Sequence, residues 1–436
     1  MKAISVTLLT AFLLGMLTAI PAVGQVLYGS AVGTVVDQSG SSVPGATVSL
    51  TNKLNGQVRE IQTGQDGRYT APNLLPGEYE LNVTAAGFRA FTQTGLQITI
   101  NTVTRADVRL ELGQLTEQVT VSSAAVALQT DKSDVHAELG SQAVANLPLA
   151  AYRNFQNLIN LVPGATPAGF QNSVGSTPAR ALTTNVNGTA RNNNNARVDG
   201  ATNVYIWLPH HMVYVPPVES IGTVNVTTGS FDAEQGMAGG AAITVATKSG
   251  TNDLHGVAFH YHDNQHLRTR NFFLPSTVDK AKSIFNIFGG TLGGPIIKDK
   301  LFYFGSFEGT LERAGISRTT DSVPTAAIRA GNFSGLPVTI YDPTTGNANG
   351  VGRIPMVGNQ VPLSRMNPIS RMIQDLAPMP NLPGTSQGTL SNYYSSGTEK
   401  LNRYNLDIKV NWNPSNNLSV WGKYSRMDAD VSSTFV

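Results

Sequence analysis

The sequence predicts a mainly β protein made of a small N-terminal β-sandwich, a middle part of mixed helix and strand, and a C-terminal series of longer strands. Three observations support this fold class. Short runs such as residues 402–412, NRYNLDIKVNW, alternate apolar and polar side chains with the period of two that is typical of a strand. Turn residues recur between the runs, and the 43 glycines suit many tight connections.

The composition excludes several classes of function. Charged residues make up 13% of the chain and the net charge is +2, so no basic surface for nucleic acid is indicated. The chain has no cysteine, so the sequence predicts neither disulfides nor thiolate chemistry. We expect no nucleic-acid partner.

The first 24 residues are predicted to be a signal peptide. Lys2 precedes an apolar run that ends before Pro21, and small residues follow up to Gly24. The alternative is a buried N-terminal helix. Beyond this segment no run of about 18 apolar residues occurs, so a membrane span would have to be built from strands of a closed barrel.

Residues 25–112 are predicted to form the sandwich, with about seven short strands. Asp66-Gly67 and Pro76-Gly77 are turn signals between alternating runs. The stretches GTVVDQSGSSVPGATVSL and TGQDGRYTAPNLLPGEYELNVTAAGF closely resemble the carboxypeptidase regulatory-like domain. The resemblance implies a transthyretin-like or carbohydrate-binding-like fold, and it leaves carbohydrate binding open.

We predict no catalytic residue, no metal site and no cofactor. The resemblance is to an accessory domain, and the chain has neither HxxE nor HExxH, the ligand spacings of zinc peptidases. His255, His260, His262 and His266 are close in sequence, but regular structure fixes no third ligand among them. The glycine-rich residues 289–294 lack the Lys-Ser/Thr ending of a phosphate loop.

The middle of the chain resembles a plug domain. Residues 113–130 read as a polar linker, and helical spacing across 147–161 predicts an amphipathic helix that ends at Pro163-Gly164. The stretches VNGTARNNNNARVDGATN and VESIGTVNVTTGSFDAEQGMAGGAAITVATKSGTN resemble the α+β plug of TonB-dependent outer-membrane receptors, and more narrowly the Oar-like group. We therefore expect a plug domain over 131–250.

Two sets of site residues follow from this resemblance. A short, exposed, β-prone segment suits strand addition by the energising protein TonB, and the candidates are Glu117, Gln118, Val119, Thr120 and Val121. The alternative is a plain linker strand.

An apical plug loop is predicted to contact ligand through Trp207, His210, His211 and Tyr214. The alternative is that these residues pack between plug and barrel.

Residues 251–436 are predicted to begin an outer-membrane β-barrel. The links between the five predicted strands are about 20, 8, 90 and 5 residues, and alternation of long and short links is typical of such barrels. We expect Arg403, Asp407 and Lys409 to line the lumen and Trp412 to lie near the periplasmic aromatic girdle. A soluble sandwich would show the same alternation. The row predicted to face lipid comprises Tyr404, Leu406, Ile408, Val410 and Trp412.

Five strands cannot close a plugged barrel, which needs about 22, so we expect the 436 residues to be the N-terminal part of a longer receptor. Such an incomplete barrel would expose a sheet edge and an apolar band. The long link over 310–401 is expected to contain a short helix near 367–376 and to cap the pore or bind a partner.

The resemblance implies a TonB-dependent receptor that imports a nutrient such as a glycan, siderophore or peptide. Its expected partners are TonB with the inner-membrane energising complex, outer-membrane lipid and the extracellular ligand. The expected location is the outer membrane after Sec-type export, with the N-terminal domains in the periplasm. A cell-surface carbohydrate-binding or adhesion protein without transport is the alternative, and a secreted accessory protein of a peptidase is a third.

Overall fold

The chain folds mainly into β-strands, as the sequence predicts. Contacts divide the computed structural model into two compact units. The first comprises Met1–Tyr261, Asn286–Thr310 and Asn402–Asp430, and the second His262–Phe285, Leu311–Leu401 and Val431–Val436. The structure describes residues 28–113, 118–122, 131–149, 153–168, 177, 179–236, 238–270, 272, 280–416 and 418–434. The predicted signal peptide and Glu117 lie outside them.

The N-terminal domain of the first unit has two sheets. One has the order β4-β1-β7, with β8 also paired to β1, and the other has the order β3-β2-β5-β6-β9. The strands are β1 (Gly29–Val36), β2 (Thr47–Asn52), β3 (Val58–Gln62), β4 (Arg68–Leu74), β5 (Gly77–Thr84), β6 (Ala90–Ile98), β7 (Val103–Arg105), β8 (Val108–Arg109) and β9 (Gln118–Ser122).

The core of this domain takes apolar side chains from both sheets. In β5 the alternate residues Tyr79, Leu81 and Val83 are buried, which is the alternation expected of a strand with one face on a core. Tyr69 of β4 is buried with its hydroxyl donating to the carbonyl of Ala106 at 2.6 Å, so its polar end is satisfied inside the apolar core.

The middle domain of the first unit is built on a five-stranded sheet of order β10-β17-β18-β13-β14. Two small hairpins, β11-β12 and β15-β16, lie outside that sheet. Helix α1 (Ser141–Asn146) follows β10 directly. The strands are β10 (Val135–Gly140), β11 (Ala165–Pro167), β12 (Thr184–Val186), β13 (Asn195–Val198), β14 (Ala201–Thr202), β15 (Val204–Tyr205), β16 (Leu208–Met212), β17 (Ile221–Gly229) and β18 (Ala242–Thr247).

The amphipathic α-helix predicted across 147–161 is not present as one element. Helix α1 ends before Leu147, and a 3-10 helix spans Phe155–Leu161. Pro148 disfavours helical backbone at the residue before it, which ends α1. Asn154 then starts the second element, since its side chain accepts a hydrogen bond from the Gln156 amide. Phe155, Leu158 and Ile159 still reach the core, as the spacing predicted.

Further 3-10 turns interrupt the loops of both units. In the parts of the chain that the structure describes, each of these turns is three residues long, whereas Phe155–Leu161 is longer. They are Arg191–Asn193, Val218–Ser220, Ala233–Gln235, Val357–Asn359 and Leu363–Arg365.

The C-terminal strands form one sheet in which successive strands are neighbours. The links, 265–282, 298–300, 322–392 and 416–417, alternate between long and short. Gly289 lies within β20, where a Cβ would come within 2.1 Å of the Phe307 carbonyl oxygen, so the glycine-rich segment serves close strand packing. The strands are β19 (His255–Asn264), β20 (Ser283–Ile297), β21 (Leu301–Asp321), β22 (Tyr393–Ser415) and β23 (Leu418–Thr434).

The second unit contains the long link 322–392, which includes helices α2 (Ala326–Arg329) and α3 (Pro368–Leu376). The helix predicted near 367–376 is confirmed as α3. The Arg329 guanidinium donates to four main-chain carbonyls, those of Pro324, Gln374, Ala377 and Pro378. The Asn359 and Asn392 side chains likewise bond main-chain atoms of separate turns. Side-chain bonds to the backbone therefore hold this link in shape.

One face of α3 is apolar and exposed. Ile369, Met372, Ile373 and Leu376 recur at helical spacing and each is at least 60% exposed. Among the described residues no helix is long and apolar enough to cross a bilayer.

Candidate functional site: the polar face of strand β22

Strand β22 buries its polar row and exposes its apolar row. Over residues 403–413 every odd-numbered side chain is at most 7% exposed, and all of these side chains are polar or charged. The five apolar side chains between them are 37–50% exposed. A buried charge is costly unless it is paired, so the partners of the polar row define the site. The buried residues are Arg403, Asn405, Asp407, Lys409, Asn411 and Asn413.

A four-charge cluster joins β22, β23 and the middle domain. Asp199, in the turn after β13, lies 3.2 Å from the Lys409 ammonium and 3.2 Å from the Lys423 ammonium. Lys423 also lies 3.4 Å from a carboxylate oxygen of Asp407. Two cations thus face two anions, and the cluster is neutral as a whole.

Asp199 is held in place by its own domain. The amide of Thr247, at the end of β18, donates to one carboxylate oxygen at 2.9 Å, and the Thr247 hydroxyl donates to the other. Burial opposes ionisation of Asp199, but the two ammonium groups and the Thr247 hydrogen bonds outweigh it and lower its pKa. The middle domain therefore presents a fixed negative charge to the two lysines.

Asp407 accepts further hydrogen bonds on the same face. The Tyr214 hydroxyl donates to it at 2.7 Å and the Ser425 hydroxyl at 2.5 Å. Burial, and then the Asp407 charge, raise the pKa of Tyr214, so the phenol stays protonated and remains a donor. Tyr214 thus ties the middle domain to β22.

A second ion pair lies further along the same face. The Arg403 guanidinium contacts the Glu308 carboxylate of β21 at 3.3 Å and donates to the Ala179 carbonyl of the middle domain at 3.1 Å. Both charged side chains are 5% exposed. Arg403 therefore connects two strands of the C-terminal sheet to the middle domain.

The four predicted ligand-contact residues lie in different environments. Trp207 is 83% exposed at the tip of hairpin β15-β16, next to Ile206, which is 85% exposed. His211 is buried, and desolvation followed by the Arg191 charge lowers the pKa of both His210 and His211. The Tyr214 hydroxyl donates to Asp407 of β22. Trp207 is the most exposed of the four side chains.

The described part of the predicted TonB segment is strand β9, which pairs in parallel with β6. Its register sets Phe91 opposite Val119 and Gln93 opposite Val121. Val121 is 44% exposed. The segment is thus the last strand of a sheet of the N-terminal domain.

A cavity of about 600 Å³ lies within the first unit, lined by the N-terminal domain, the middle domain and the C-terminal strands. Three polar atoms of its lining have no hydrogen-bond partner among the described residues: Thr223 Oγ1, Asn411 Oδ1 and Asn413 Nδ2.

The histidines near β19 do not converge. His255 contacts the Asp253 carbonyl, and His260 lies 3.3 Å from the Asn286 side chain. Within the described ranges no group of three His, Asp or Glu side chains is placed to hold a metal ion.

Sequence reasoning missed Asp199 and Lys423. Asp199-Gly200 reads as an ordinary turn, and a turn aspartate carries no signal for a partner 210 residues away. Lys423 had a usable signal, because it shares the alternation of Ser419, Trp421 and Ser425 in the last strand. That period places it on the same face as the polar row of the neighbouring strand.

Family models match two parts of the chain. Residues 30–111 match the carboxypeptidase regulatory-like domain, and residues 246–436 match the outer membrane beta barrel domain. The chain therefore carries a carboxypeptidase regulatory-like domain and, after the middle domain, an outer membrane beta barrel domain.

The chain is also homologous to a named relative. It is 28% identical over 332 residues to the TonB-dependent transporter Oar of Myxococcus xanthus, across 70% of this chain. The chain spans 30% of the length of that relative. These matches support an outer-membrane location.

Likenesses to solved structures are weak. A ferric enterobactin receptor mutant of Pseudomonas aeruginosa matches 69% of this chain and 34% of its own, at 15% identity and a TM-score of 0.36. A putative carbohydrate binding protein of Bacteroides uniformis matches 19% of this chain and 40% of its own, at 16% identity and a TM-score of 0.17. Scores this low define no common fold.

Proposed function

We propose that this chain is the N-terminal part of a TonB-dependent outer-membrane transporter that takes up a nutrient ligand. In this proposal residues 131–250 are the plug and the C-terminal strands are part of the barrel wall. The observation that carries the proposal is the inverted burial of β22, whose charged row contacts the middle domain while its apolar row is exposed.

The inverted burial fits a barrel wall in lipid. Strands of outer-membrane barrels alternate apolar side chains toward lipid with polar side chains toward the lumen. The row of Tyr404, Leu406, Ile408, Val410 and Trp412 would face lipid, and the polar row would face the plug.

The chemistry of the contact between plug and wall suits a part that must move. Ion pairs and hydrogen bonds, such as Lys409 with Asp199 and Tyr214 with Asp407, can be exchanged for water when the surfaces separate. An apolar contact of the same area would instead pay the full cost of exposing its surface to water. A plug held by polar contacts can leave the wall and return.

Two exposed features of the chain are the proposed ligand contacts. The hairpin tip with Trp207 offers an aromatic surface for ligand, and the long link 322–392 offers a second surface. A glycan, siderophore or peptide are the candidate ligands. The receptor itself would be non-enzymatic, exported by a Sec-type signal, with its N-terminal domains in the periplasm and TonB as the energising partner.

Uptake in cells that produce the full-length protein tests the function. We expect a heat-modifiable outer-membrane protein whose ligand accumulation falls at least tenfold when TonB is deleted. The matched control is surface binding of the same ligand, which should persist without TonB. A soluble product, or accumulation unchanged by TonB deletion, would contradict the proposal.

A cell-surface adhesion protein without transport is the second candidate. The exposed apolar face of α3 favours it, because four apolar side chains on an exposed helix suit a contact surface. In that case ligand or cell binding would be retained without TonB, and no accumulation would occur in its presence.

A further inference from the structure

The N-terminal domain contacts the C-terminal sheet through the turn between β2 and β3. The Leu54 carbonyl accepts a hydrogen bond from the Asn252 amide at 2.9 Å. The Asn252 side chain donates to the Asp299 carboxylate at 2.7 Å and accepts from the Asp299 amide at 2.9 Å. Asn252 lies in the connection between β18 and β19, and Asp299 lies in the short link between β20 and β21. The domain is therefore hydrogen-bonded where the middle domain continues into the sheet.

Gly56 shows how closely this turn approaches the sheet. Its φ is +70°, and a Cβ at this position would lie 2.3 Å from the Oδ1 atom of Asp299. A glycine is therefore needed both for the backbone conformation and for the close approach. Gly45 of the same domain has a φ of +69°, but a Cβ there would have no described atom within 4 Å. The two glycines share a backbone requirement, and only Gly56 lies at the contact.

A second turn of the N-terminal domain, between β6 and β7, contacts the middle domain. The Asn225 side chain of β17 donates to the Ile100 carbonyl at 3.2 Å. The Lys132 ammonium donates to the carbonyl and to the side-chain oxygen of Asn101, both at 3.0 Å. Ile100 is fully buried. One turn of the N-terminal domain thus holds the middle domain, and another holds the C-terminal sheet.

The cavity of about 600 Å³ borders both contacts. On the side of the N-terminal domain its lining includes Leu54 and Thr99. On the opposite side it includes Thr223 of the middle domain and Asn411 of β22. The N-terminal domain therefore meets the other two parts through polar contacts at its turns, with open space between them. Hydrogen bonds exchange for water at a small net cost, so such contacts can release and form again.

The two contacts differ in strength. The contact with the middle domain has three hydrogen bonds, made by Asn225 and Lys132, and an ion pair between Arg105 of β7 and Asp131 at 2.9 Å. At the sheet, the Leu54 carbonyl makes one direct hydrogen bond, to the Asn252 amide. We therefore expect the contact with the sheet to release first.

We propose that the N-terminal domain is a clamp that holds the middle domain against the C-terminal sheet. Because the clamp bridges the two, its turn between β2 and β3 must leave the link 298–300 before the middle domain can separate from β22. The inference rests on the proposed function only where it treats the middle domain as a plug that moves. Its test uses purified protein without TonB or ligand, so either proposal can fail without the other.

A thiol on the covered face of β22 reports separation of the middle domain. Asn405 is 1% exposed, and its side chain donates to the Val215 carbonyl of the middle domain at 3.4 Å. The chain has no native cysteine, so Asn405→Cys supplies one thiol. Its rate of reaction with a maleimide is measured in the full-length protein, purified in detergent and held in mild urea. The rate increases as the middle domain separates from the sheet.

Two glycine substitutions separate release of the clamp from strain in a turn. Gly56→Asp places a carboxylate against Asp299, whereas Gly45→Asp makes the same change in open space at nearly the same φ. Aspartate is among the residues that tolerate this backbone region. We expect the thiol of Asn405→Cys to react at least fivefold faster with Gly56→Asp than with Gly45→Asp. Equal rates would overturn the proposal.

A disulfide lock gives the opposite test. A Cβ at Gly56 would lie 3.2 Å from the Cγ atom of Asp299, so the two β-carbons come near the spacing of about 3.5–4.5 Å that a disulfide needs. The lock is Gly56→Cys with Asp299→Cys. The control, Ser49→Cys with Glu60→Cys, joins register partners of β2 and β3 within the same hairpin.

Both pairs are oxidised before the thiol of Asn405→Cys is labelled. We expect labelling to be at least fivefold slower in the lock than in the control, because the clamp can no longer leave the link. Equal rates in the two oxidised proteins would overturn the proposal. Failure of the lock to oxidise would also overturn it, since the turn would then not lie against Asp299.

Discussion

Strands β5 and β22 have the same side-chain period and bury opposite rows. In β5 the buried row is Tyr79, Leu81 and Val83, and the residues between them are partly or fully exposed. Over residues 403–413 of β22 the buried row is charged or amide-bearing, and the exposed row is apolar. The side-chain period alone thus shows that a strand has two different faces. Which of the two faces is buried depends on what packs against it.

The largest expected effect is at Asp199, which compensates two buried cations. Asp199→Ala leaves Lys409 and Lys423 facing each other across a buried site, and we expect it to reduce the free energy of unfolding by about 3–5 kcal/mol. Urea unfolding of the full-length protein in lipid vesicles measures this. The control is Asp428→Ala, which breaks an exposed ion pair and should cost less than about 1 kcal/mol. Equal losses would show that the cluster is not buried.

A pair of leucines compares the two strands directly. Leu81→Ala opens a cavity in the core of the N-terminal domain and should cost about 3 kcal/mol. Leu406→Ala removes a side chain that is 37% exposed and leaves no enclosed cavity, so we expect a smaller cost, about 1–2 kcal/mol. Hydrogen exchange of the β5 and β22 amides measures the loss of stability in each of the two variants. A larger loss at Leu406 would place that row against protein.

A charged substitution tests what covers the exposed row. If lipid covers it, Ile408→Arg should cost about 2–4 kcal/mol when the residue lies near the bilayer midplane. Thr84→Arg, at an exposed position of β5, should change stability by less than about 0.5 kcal/mol. Urea unfolding in vesicles compares them. Ile408→Arg without effect would mean that water covers the row.

Acidification should weaken the cluster around Asp199. The pKa of this carboxyl is lower in the folded protein than its ordinary value of 3.8. Its contribution is therefore fully present above pH 3.8 and is lost as the pH falls through the folded value. The decline of stability below pH 4 should be shallower in Asp199→Asn, as denaturant midpoints across pH measure. Parallel curves for the two proteins would exclude this role of Asp199.

Sequence reasoning predicted the strand faces better than their partners. The alternation of β22 predicted both rows, and the predicted alternation of long and short links between the C-terminal strands is confirmed. The α-helix predicted at 147–161 was wrong, because Pro148 keeps Leu147 extended and Asn154 caps a 3-10 helix that begins only at Phe155. The partner of Lys409 could not be found, since a contact between residues 199 and 409 depends on how two domains pack.

The long link 322–392 has a consequence for how the protein can change over time. Its shape depends on Arg329, Asn359 and Asn392, which bond main-chain carbonyls and amides. Main-chain groups are the same whichever side chain a residue carries. Most positions of the link can therefore accept new side chains while the hydrogen bonds that hold its outline are kept.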